Sequence, residues 1–262
     1  MRLENKVAIV TGGAQGLGKA FAEELLKKGA KVCICDLQAA EGRKVVKDWQ
    51  QRFGRHSSMF VPCDVTDHDS FQNVFRTTKS RLGPIDIVVN NAGIGNEGDG
   101  WQRTIHINLI GVIEGTRLAV MYMSKEEGGK GGVVVNVAST AGLTPVFNTP
   151  VYAGSKYGVV GYTRSMAANP SIHEVGIRFT CLCPAYTDTT MFKSEKIDDL
   201  KKVDSNDPLV QMVMKAGVNT IEDVANGFMQ LVETDNNNGG VMTVTKYKGI
   251  QYRHGKPLTN KL

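Results

Sequence analysis

Short apolar runs alternate with longer helix-like stretches along most of this chain. The apolar runs are typical of buried strands and lie at residues 7–10, 31–35, 59–62, 85–90, 133–138, 177–183 and 241–245. The helix-like stretches between them lie at residues 17–28, 39–53, 68–81, 101–126, 152–168 and 220–233. Buried strands joined by helices are typical of βαβ units, in which helices cover a parallel sheet. The pattern therefore predicts a doubly wound α/β fold: a mostly parallel seven-stranded sheet with helices on both faces.

Two segments depart from this alternation without marking a second domain, so we predict a single domain over residues 1–262. Residues 184–217 have mixed polarity and no clear period. They follow the sixth predicted strand, at the edge where such sheets bind ligands, and we interpret them as a substrate lid. Residues 246–262 carry five Lys or Arg and no acid, which equals the whole net charge of +5. We interpret this segment as a solvated basic tail, with an anionic partner as the alternative.

Cysteine usage and hydropathy bear on the compartment. The five cysteines include neither a CxxC pair nor a Cys/His cluster with zinc spacing, so we expect reduced thiols and no metal. The first six residues are charged and polar and lead directly into a strand, unlike a secretion signal. No apolar run reaches the length of a membrane span. We therefore expect a cytoplasmic protein without a membrane span. Nucleic-acid binding is disfavoured because the excess positive charge lies in a tail and not on a folded basic face.

A glycine-rich turn follows the first predicted strand and opens the first predicted helix. Gly12, Gly16 and Gly18 are the glycines, with Gln15 and Leu17 between them. Glycine tolerates the positive φ and the close backbone approach that such a turn needs. The helix beyond it offers free N–H groups and a positive dipole end to a pyrophosphate. The motif predicts a dinucleotide-binding, Rossmann-type domain.

Asp36 ends the second predicted strand and is followed by Leu37. A carboxylate there accepts hydrogen bonds from the adenosine ribose 2′-hydroxyl and repels a 2′-phosphate. Gln15 is neutral where a basic residue would suit NADP. We therefore predict that the cofactor is NAD. The alternative role of Asp36 is to cap the following helix.

Two further strand ends border the predicted cofactor crevice. Cys63, Asp64 and Val65 end the third strand, and Asn91 and Gly93 follow the fourth. Asp64 suits the adenine amino group, and Gly93 leaves room for the adenosine ribose. Asn-rich strand ends are also common as ordinary turns, and spacing alone leaves the two readings open.

Tyr152 and Lys156 are one helical turn apart and share a face of the predicted helix. A nearby ammonium and a positively charged nicotinamide both favour a phenolate, so we expect a lowered pKa for Tyr152. A phenolate can accept an alcohol proton while hydride leaves for the nicotinamide. Ser139 can position the substrate oxygen, and Asn108 can hold a water near Lys156. The alternative is an ordinary surface pair of Tyr and Lys.

Taken together, these motifs resemble the short-chain dehydrogenase/reductase family. The resemblance covers nearly the whole chain and implies a catalytic tetrad of Asn108, Ser139, Tyr152 and Lys156, with Lys156 also bonding the nicotinamide ribose. It further implies cofactor contacts from the segment after the sixth strand, at Pro184, Thr187 and Thr189. Family members are usually homodimers or homotetramers, often associated through the two long helices, here predicted at 101–126 and 152–168.

Within the family, several stretches resemble the prostaglandin-oxidising group, which implies a role in lipid metabolism. The residues that read substrate differ: Thr149 stands where that group has glutamine, Ala216 where it has a lid tyrosine, and Pro184-Ala185-Tyr186 replaces the usual Pro-Gly. We assign Ser139, Thr149 and Tyr186 to the substrate side. The prediction is NAD-dependent oxidation of a secondary alcohol on a hydrophobic substrate. The alternatives are another apolar alcohol or ketone, such as a terpenoid, hydroxy fatty acid or steroid, and a non-catalytic NAD-binding protein.

Overall fold

The fold is built on one sheet whose strands follow the predicted apolar runs closely. A computed structural model describes residues 1–126, 128–170, 175–192 and 206–254. The strands are β1 (Val7–Thr11), β2 (Lys31–Asp36), β3 (Ser58–Pro62), β4 (Ile87–Asn90), β5 (Gly132–Val137), β6 (Ile177–Pro184), β7 (Val241–Thr245) and β8 (Gly249–His254). The central residues of β1, β2, β4, β5, β6 and β7 are buried on both faces, which explains why these strands are continuous apolar runs.

The strand order creates a crevice in the middle of the sheet. The order is β3-β2-β1-β4-β5-β6-β7-β8, and all neighbouring pairs except β7–β8 are parallel. From β1 the chain first moves outward through β2 and β3, then returns to place β4 on the other side of β1. The carboxyl ends of β1 and β4 therefore flank the switch point, where ligands bind in doubly wound sheets.

Helices cover both faces, as predicted. They are α1 (Gly16–Lys27), α2 (Ala39–Phe53), α3 (His68–Leu82), α4 (Gln102–Ile105), α5 (Gly111–Met123), α6 (Pro150–Ala168), α7 (Pro208–Ala216) and α8 (Ile221–Glu233). On one face α1, α2 and α8 pack together, with Phe21 stacked on Phe228 at 4.4 Å between ring centroids. On the other face α3, α5 and α6 cover the central strands. Thr220 caps α8 in a reciprocal capping box with Asp223, which stabilises its first turn.

The sheet has eight strands rather than the predicted seven. The additional strand is β8, which pairs antiparallel with β7 inside the segment that we interpreted as a tail. A tight turn at residues 246–248 permits this hairpin, and Tyr252 accepts a hydrogen bond from Asn237 Nδ2 at 3.3 Å. Part of the basic segment is therefore an edge strand, while residues 255–262 lie outside the described residues.

The predicted helix at 101–126 is divided into three parts. A π-helical segment, His106–Ile110, separates α4 from α5 and contains Asn108. The predicted lid at 184–217 is described only at its two ends, where the second end forms α7. Residues 193–205 lie outside the described residues. In the part of the chain that the structure covers, no helix combines the length and the apolar character needed to cross a membrane.

Candidate active site

The glycine turn between β1 and α1 lies at the switch point and has the shape of a phosphate cradle. Gly12 and Gly16 have positive φ values of 62° and 55°. A Cβ at Gly18 would collide with the carbonyl oxygen of Gly12, so only glycine permits this close approach. Among the described residues, α1 has no side-chain cap from Gln15, and its first turn holds no acid. The N–H groups there, including that of Leu17, suit a pyrophosphate.

Thr11 and Asn91 lock this turn to the end of β4. Thr11 Oγ1 accepts hydrogen bonds from the backbone N–H groups of Asn91 at 2.9 Å and Ala92 at 3.0 Å. The Asn91 amide donates to the carbonyls of Thr11 at 3.0 Å and Gly12 at 3.2 Å. The Asn91 side chain therefore holds the cradle in shape. Thr11 was not predicted, because its role depends on a strand 80 residues away.

Asp36 connects the cradle to α2. Its Oδ2 accepts from the Ala14 N–H at 3.1 Å, and its Oδ1 accepts from the Gln38 N–H at 3.0 Å. Asp36 thus shapes the turn into α2 by accepting from its N-cap residue, Gln38, rather than from the N–H groups of the helix itself. Each carboxylate oxygen retains a second lone pair, so the same side chain can also accept from a ribose hydroxyl. Leu37, beside it, is 55% exposed.

The end of β3 forms the far wall of the same crevice. Cys63 is buried, and Val65 packs against Gly111 at the start of α5. Asp64 Oδ1 accepts from the Thr66 N–H at 2.9 Å and the Thr66 hydroxyl at 2.7 Å. These hydrogen bonds lower the pKa of Asp64, so it is held as a carboxylate. Its Oδ2 is the oxygen that remains suited to an amino group.

Tyr152 and Lys156 meet on α6 as their spacing predicted. Lys156 Nζ donates to the carbonyl of Val137 at 2.9 Å and lies 5.5 Å from the centroid of the Tyr152 ring. Lys156 is only 3% exposed. The pair is therefore not an ordinary surface pair, because its ammonium is anchored under the sheet edge beside the phenol.

The pKa of Tyr152 differs from our expectation. Burial raises the pKa of Tyr152 to about 12, although the neighbouring Ser139 hydroxyl opposes the rise. Burial also lowers the pKa of Lys156 to about 8. We expected the lysine and a bound nicotinamide to make the phenol more acidic. In the chain without cofactor, loss of hydration is the largest cause of the rise, and the group that opposes it is Ser139 rather than Lys156.

Ser139 and Asn108 complete the group around these two residues. Ser139 Oγ donates to the Pro184 carbonyl at 3.3 Å and accepts from the Ala141 N–H at 3.1 Å. A Cβ at Gly93 would lie 3.2 Å from Asn108 Oδ1 and 3.6 Å from Lys156 Nζ. The predicted residues from β4, the π-helical segment, β5 and α6 therefore converge on one site.

Comparison with known proteins agrees with this geometry. Residues 6–200 match the profile of the short chain dehydrogenase family. This chain belongs to the short-chain dehydrogenase family. Relatives named 15-hydroxyprostaglandin dehydrogenase (NAD(+)) from Bos taurus and Mus musculus are each 42% identical over 255 residues, covering 97% of this chain and 96% and 94% of theirs. The crystal structure of levodione reductase matches with a TM-score of 0.78 and 26% identity, over 92% of this chain and 96% of that one.

In this short-chain dehydrogenase, the segment after β6 reaches the glycine cradle. Thr189 lies close to the cradle, with its Cβ 4.0 Å from a Cβ built at Gly16. The Thr187 hydroxyl donates to the Ala185 carbonyl at 2.9 Å. This hydrogen bond orients the Thr187 hydroxyl within its own turn and leaves its oxygen able to accept, so the cofactor contact that the family resemblance implies for Thr187 stays a prediction.

Tyr186 and Thr149 are the residues that we assigned to the substrate side, and that assignment stays a prediction. The Tyr186 ring packs against Phe192 at 4.9 Å between centroids, and burial raises the pKa of its phenol. Asn219 supports this segment by donating its backbone N–H to the Tyr186 carbonyl at 2.8 Å. Thr149 precedes α6 and makes no capping hydrogen bond within the described residues.

Two residues near the tetrad were not predicted. Glu97 accepts hydrogen bonds from the first turn of α6, and Ser155 donates to the Tyr152 carbonyl at 2.6 Å. Ser155 lies inside the Tyr-x-x-x-Lys motif, three residues after Tyr152. That spacing could have predicted its hydrogen bond to the Tyr152 carbonyl. Glu97 is the single acid among small and polar residues from 91 to 98, and its partner is distant in sequence.

Proposed function

We propose that this NAD-dependent short-chain alcohol dehydrogenase oxidises a secondary alcohol on a hydrophobic substrate through Tyr152, Lys156, Ser139 and Asn108. The observation that carries the proposal is the position of the Tyr152–Lys156 pair. It lies at the carboxyl edge of the sheet. Gly93, just after β4, lies beside the Lys156 ammonium, and Asn91 in the same segment holds the glycine cradle in place. The cofactor and the proton acceptor would therefore meet at one carbon of the substrate.

Each residue has a separate task in this reaction. Ser139 holds the substrate hydroxyl against the Tyr152 oxygen, and Tyr152 accepts its proton. The buried Lys156 ammonium favours the charged form of the phenol and binds the nicotinamide ribose. When bound, NAD supplies the ring that accepts the hydride. Asn108 holds the strand end beside Lys156 through its two hydrogen bonds to Ile94, at 2.9 and 2.8 Å.

The substrate that we propose is a lipid-like secondary alcohol. The bovine and mouse relatives are named for 15-hydroxyprostaglandin, which supports this class. Large apolar side chains are also exposed before α6, after β6 and on α7, namely Phe147 (66%), Met191 (54%) and Met214 (46%). An exposed apolar surface beside a catalytic group suits an apolar substrate. Thr149 offers a short hydroxyl to a second substrate oxygen, which favours a different alcohol from that of the prostaglandin group.

We propose a reducing, cytoplasmic setting and a homodimer or homotetramer. All five cysteines are free and buried, which suits a reducing compartment. The exposed faces of the π-helical segment, α5 and α6 carry Ile110, Met121 and Tyr157, each between 43% and 49% exposed. These faces belong to the helices that correspond to those through which family members often associate.

The test is NAD reduction followed by absorbance with a panel of hydroxy fatty acids, prostaglandins, terpenoid alcohols and steroids. Tyr152→Phe should lower kcat on the best substrate by about 10²–10⁴-fold, because the proton acceptor is lost. NAD binding, measured by calorimetry, should remain. Tyr157→Phe is the matched control on the same helix and should retain activity. Turnover by Tyr152→Phe within tenfold of the unchanged protein would contradict the proposed role.

A further inference from the structure

The helix that carries the catalytic tyrosine begins without a cap from its own sequence. Thr149 is at the N-cap position of α6, with φ −142° and ψ 59°, and Pro150 follows at the first helical position. An N-cap side chain normally accepts from the second and third N–H groups of the helix. Here those groups belong to Val151 and Tyr152, and the Thr149 side chain accepts from neither.

Glu97 supplies the missing cap from a different part of the chain. Its Oε2 accepts from the Val151 N–H at 2.9 Å, and its Oε1 accepts from the Tyr152 N–H at 2.8 Å. One carboxylate therefore takes both donors that a local cap would take, across 54 and 55 residues. Its negative charge also lies at the positive end of the helix dipole, which strengthens both hydrogen bonds.

A second helix of the same molecule shows the usual arrangement. In α7, Asp207 is the N-cap and Pro208 occupies the first position, as Thr149 and Pro150 do in α6. Asp207 Oδ1 accepts from Leu209 at 2.7 Å and from Val210 at 3.3 Å, the second and third N–H groups. The contrast shows that a local cap is compatible with proline at the first position. The remote cap in α6 is therefore not forced by Pro150.

The loop that presents Glu97 is held at two residues that precede it, Ile94 and Asn96. Asn108 clamps the backbone of Ile94, and Thr104 accepts from the Asn96 N–H at 3.2 Å while donating to its carbonyl at 2.8 Å. Between them the loop passes beside the catalytic ring, since a Cβ at Gly95 would lie 4.0 Å from Tyr152 Cδ2. The loop after β4 therefore places the Glu97 carboxylate at the start of α6 and the Gly95 backbone against the Tyr152 ring.

Both backbone groups of Tyr152 are tied to this loop. Its N–H donates to Glu97, and its carbonyl accepts from Ser155 Oγ at 2.6 Å. Ser155 Oγ in turn accepts from Asn108 Nδ2 at 3.2 Å, and Asn108 holds Ile94. These two hydrogen bonds fix the main chain of Tyr152. A small displacement of that main chain would move the whole phenol.

We propose that Glu97 is a positioning residue that acts as a remote N-cap of α6 and fixes Tyr152 for proton transfer. The same arrangement leaves the Thr149 hydroxyl free for substrate, because the donors that it would otherwise cap are already taken. The inference rests on the proposed role of Tyr152 and adds a residue that contacts neither substrate nor cofactor.

The test is a double-mutant cycle between Glu97→Ala and Thr149→Asn. Asparagine is a strong N-cap without charge, so it can restore a local cap. Glu97→Ala alone should lower kcat by about tenfold or more, because a displaced catalytic group is costly, while the KM for NAD stays unchanged. In the Thr149→Asn background, the same Glu97→Ala change should lower kcat by only about twofold.

Three controls make each outcome decisive. Glu97→Gln keeps one acceptor and should lower kcat less than Glu97→Ala. Asp67→Ala removes a carboxylate that caps α3, where it accepts from the Ser70 N–H at 2.6 Å, and should lower thermal stability without lowering kcat. Equal losses of kcat from Glu97→Ala in both backgrounds would overturn the proposal, as would a loss of stability alone. Full activity in Tyr152→Phe would instead overturn the proposed function.

Discussion

Burial changes the protonation chemistry of the two central residues in opposite directions. The pKa of Tyr152 rises to about 12 and the pKa of Lys156 falls to about 8, in each case with burial as the main cause. The Tyr-x-x-x-Lys spacing predicted that both groups share a helix face, and they do. It could not predict the depth of the pair under Val137, because that depth depends on how α6 packs on β5.

The lowered pKa of Lys156 predicts a specific pH dependence of stability. Deprotonation favours the folded state, so this contribution is complete above the ordinary pKa of 10.5 and is lost as pH falls through about 8. Between pH 7 and 9.5 the unchanged protein should gain about 2 kcal/mol relative to Lys156→Met. The measurement is urea unfolding without cofactor, and the comparison with Lys156→Met cancels the titration of groups that both proteins share.

The exposed Lys44 offers a matched control for this experiment. Lys44→Met removes an exposed ammonium, so it controls for the loss of a lysine charge as such. Parallel pH curves for Lys156→Met and the unchanged protein would show that burial does not penalise the Lys156 ammonium.

At the scale of elements, sequence patterns located most strands and helices, and they failed where distant contacts decide the outcome. The glycine turn was predictable because Gly12, Gly16 and Gly18 carry a local backbone requirement. The π-helical segment around Asn108 was not, because Asn108 bonds the backbone of Ile94, 14 residues away, and no local pattern marks that contact. The strand β8 was missed because its charged residues suit both a solvated tail and an edge strand.

Asp36 joins three elements, and its replacement tests which of its two roles dominates. Asp36→Ala removes the hydrogen bonds to Ala14 and Gln38, so stability should fall with or without cofactor. If the carboxylate also binds the ribose 2′-hydroxyl, kcat/KM with NAD should fall about 10- to 100-fold, and kcat/KM with NADP should fall less or rise. Steady-state kinetics with both cofactors gives the ratio. An unchanged ratio would leave Asp36 with a structural role alone.

At the scale of the whole molecule, the exposed face of α6 is unusual for a helix in a single chain. Gly154 and Gly161 are both in the helix, and in the described part of the chain no atom beyond the neighbouring backbone of α6 itself would lie within 4 Å of a Cβ built at either. Glycine inside a helix costs about 1 kcal/mol relative to alanine, so these positions weaken α6 without packing against anything in their own chain. Tyr157 lies between them and is 43% exposed.

A homodimer through this face would explain both glycines, because small residues let two helices approach closely. The two possibilities predict opposite signs for Gly161→Ala. On a solvent-exposed face, alanine should stabilise the protein by about 1 kcal/mol and leave its mass unchanged. In a packed interface, the added methyl group should weaken association and lower the thermal midpoint at a given concentration. We expect the second result, measured by sedimentation equilibrium and thermal unfolding at several concentrations.

Gly161→Glu should then give monomers, since it places a buried charge in the interface. A monomeric unchanged protein stabilised by Gly161→Ala would exclude association through α6.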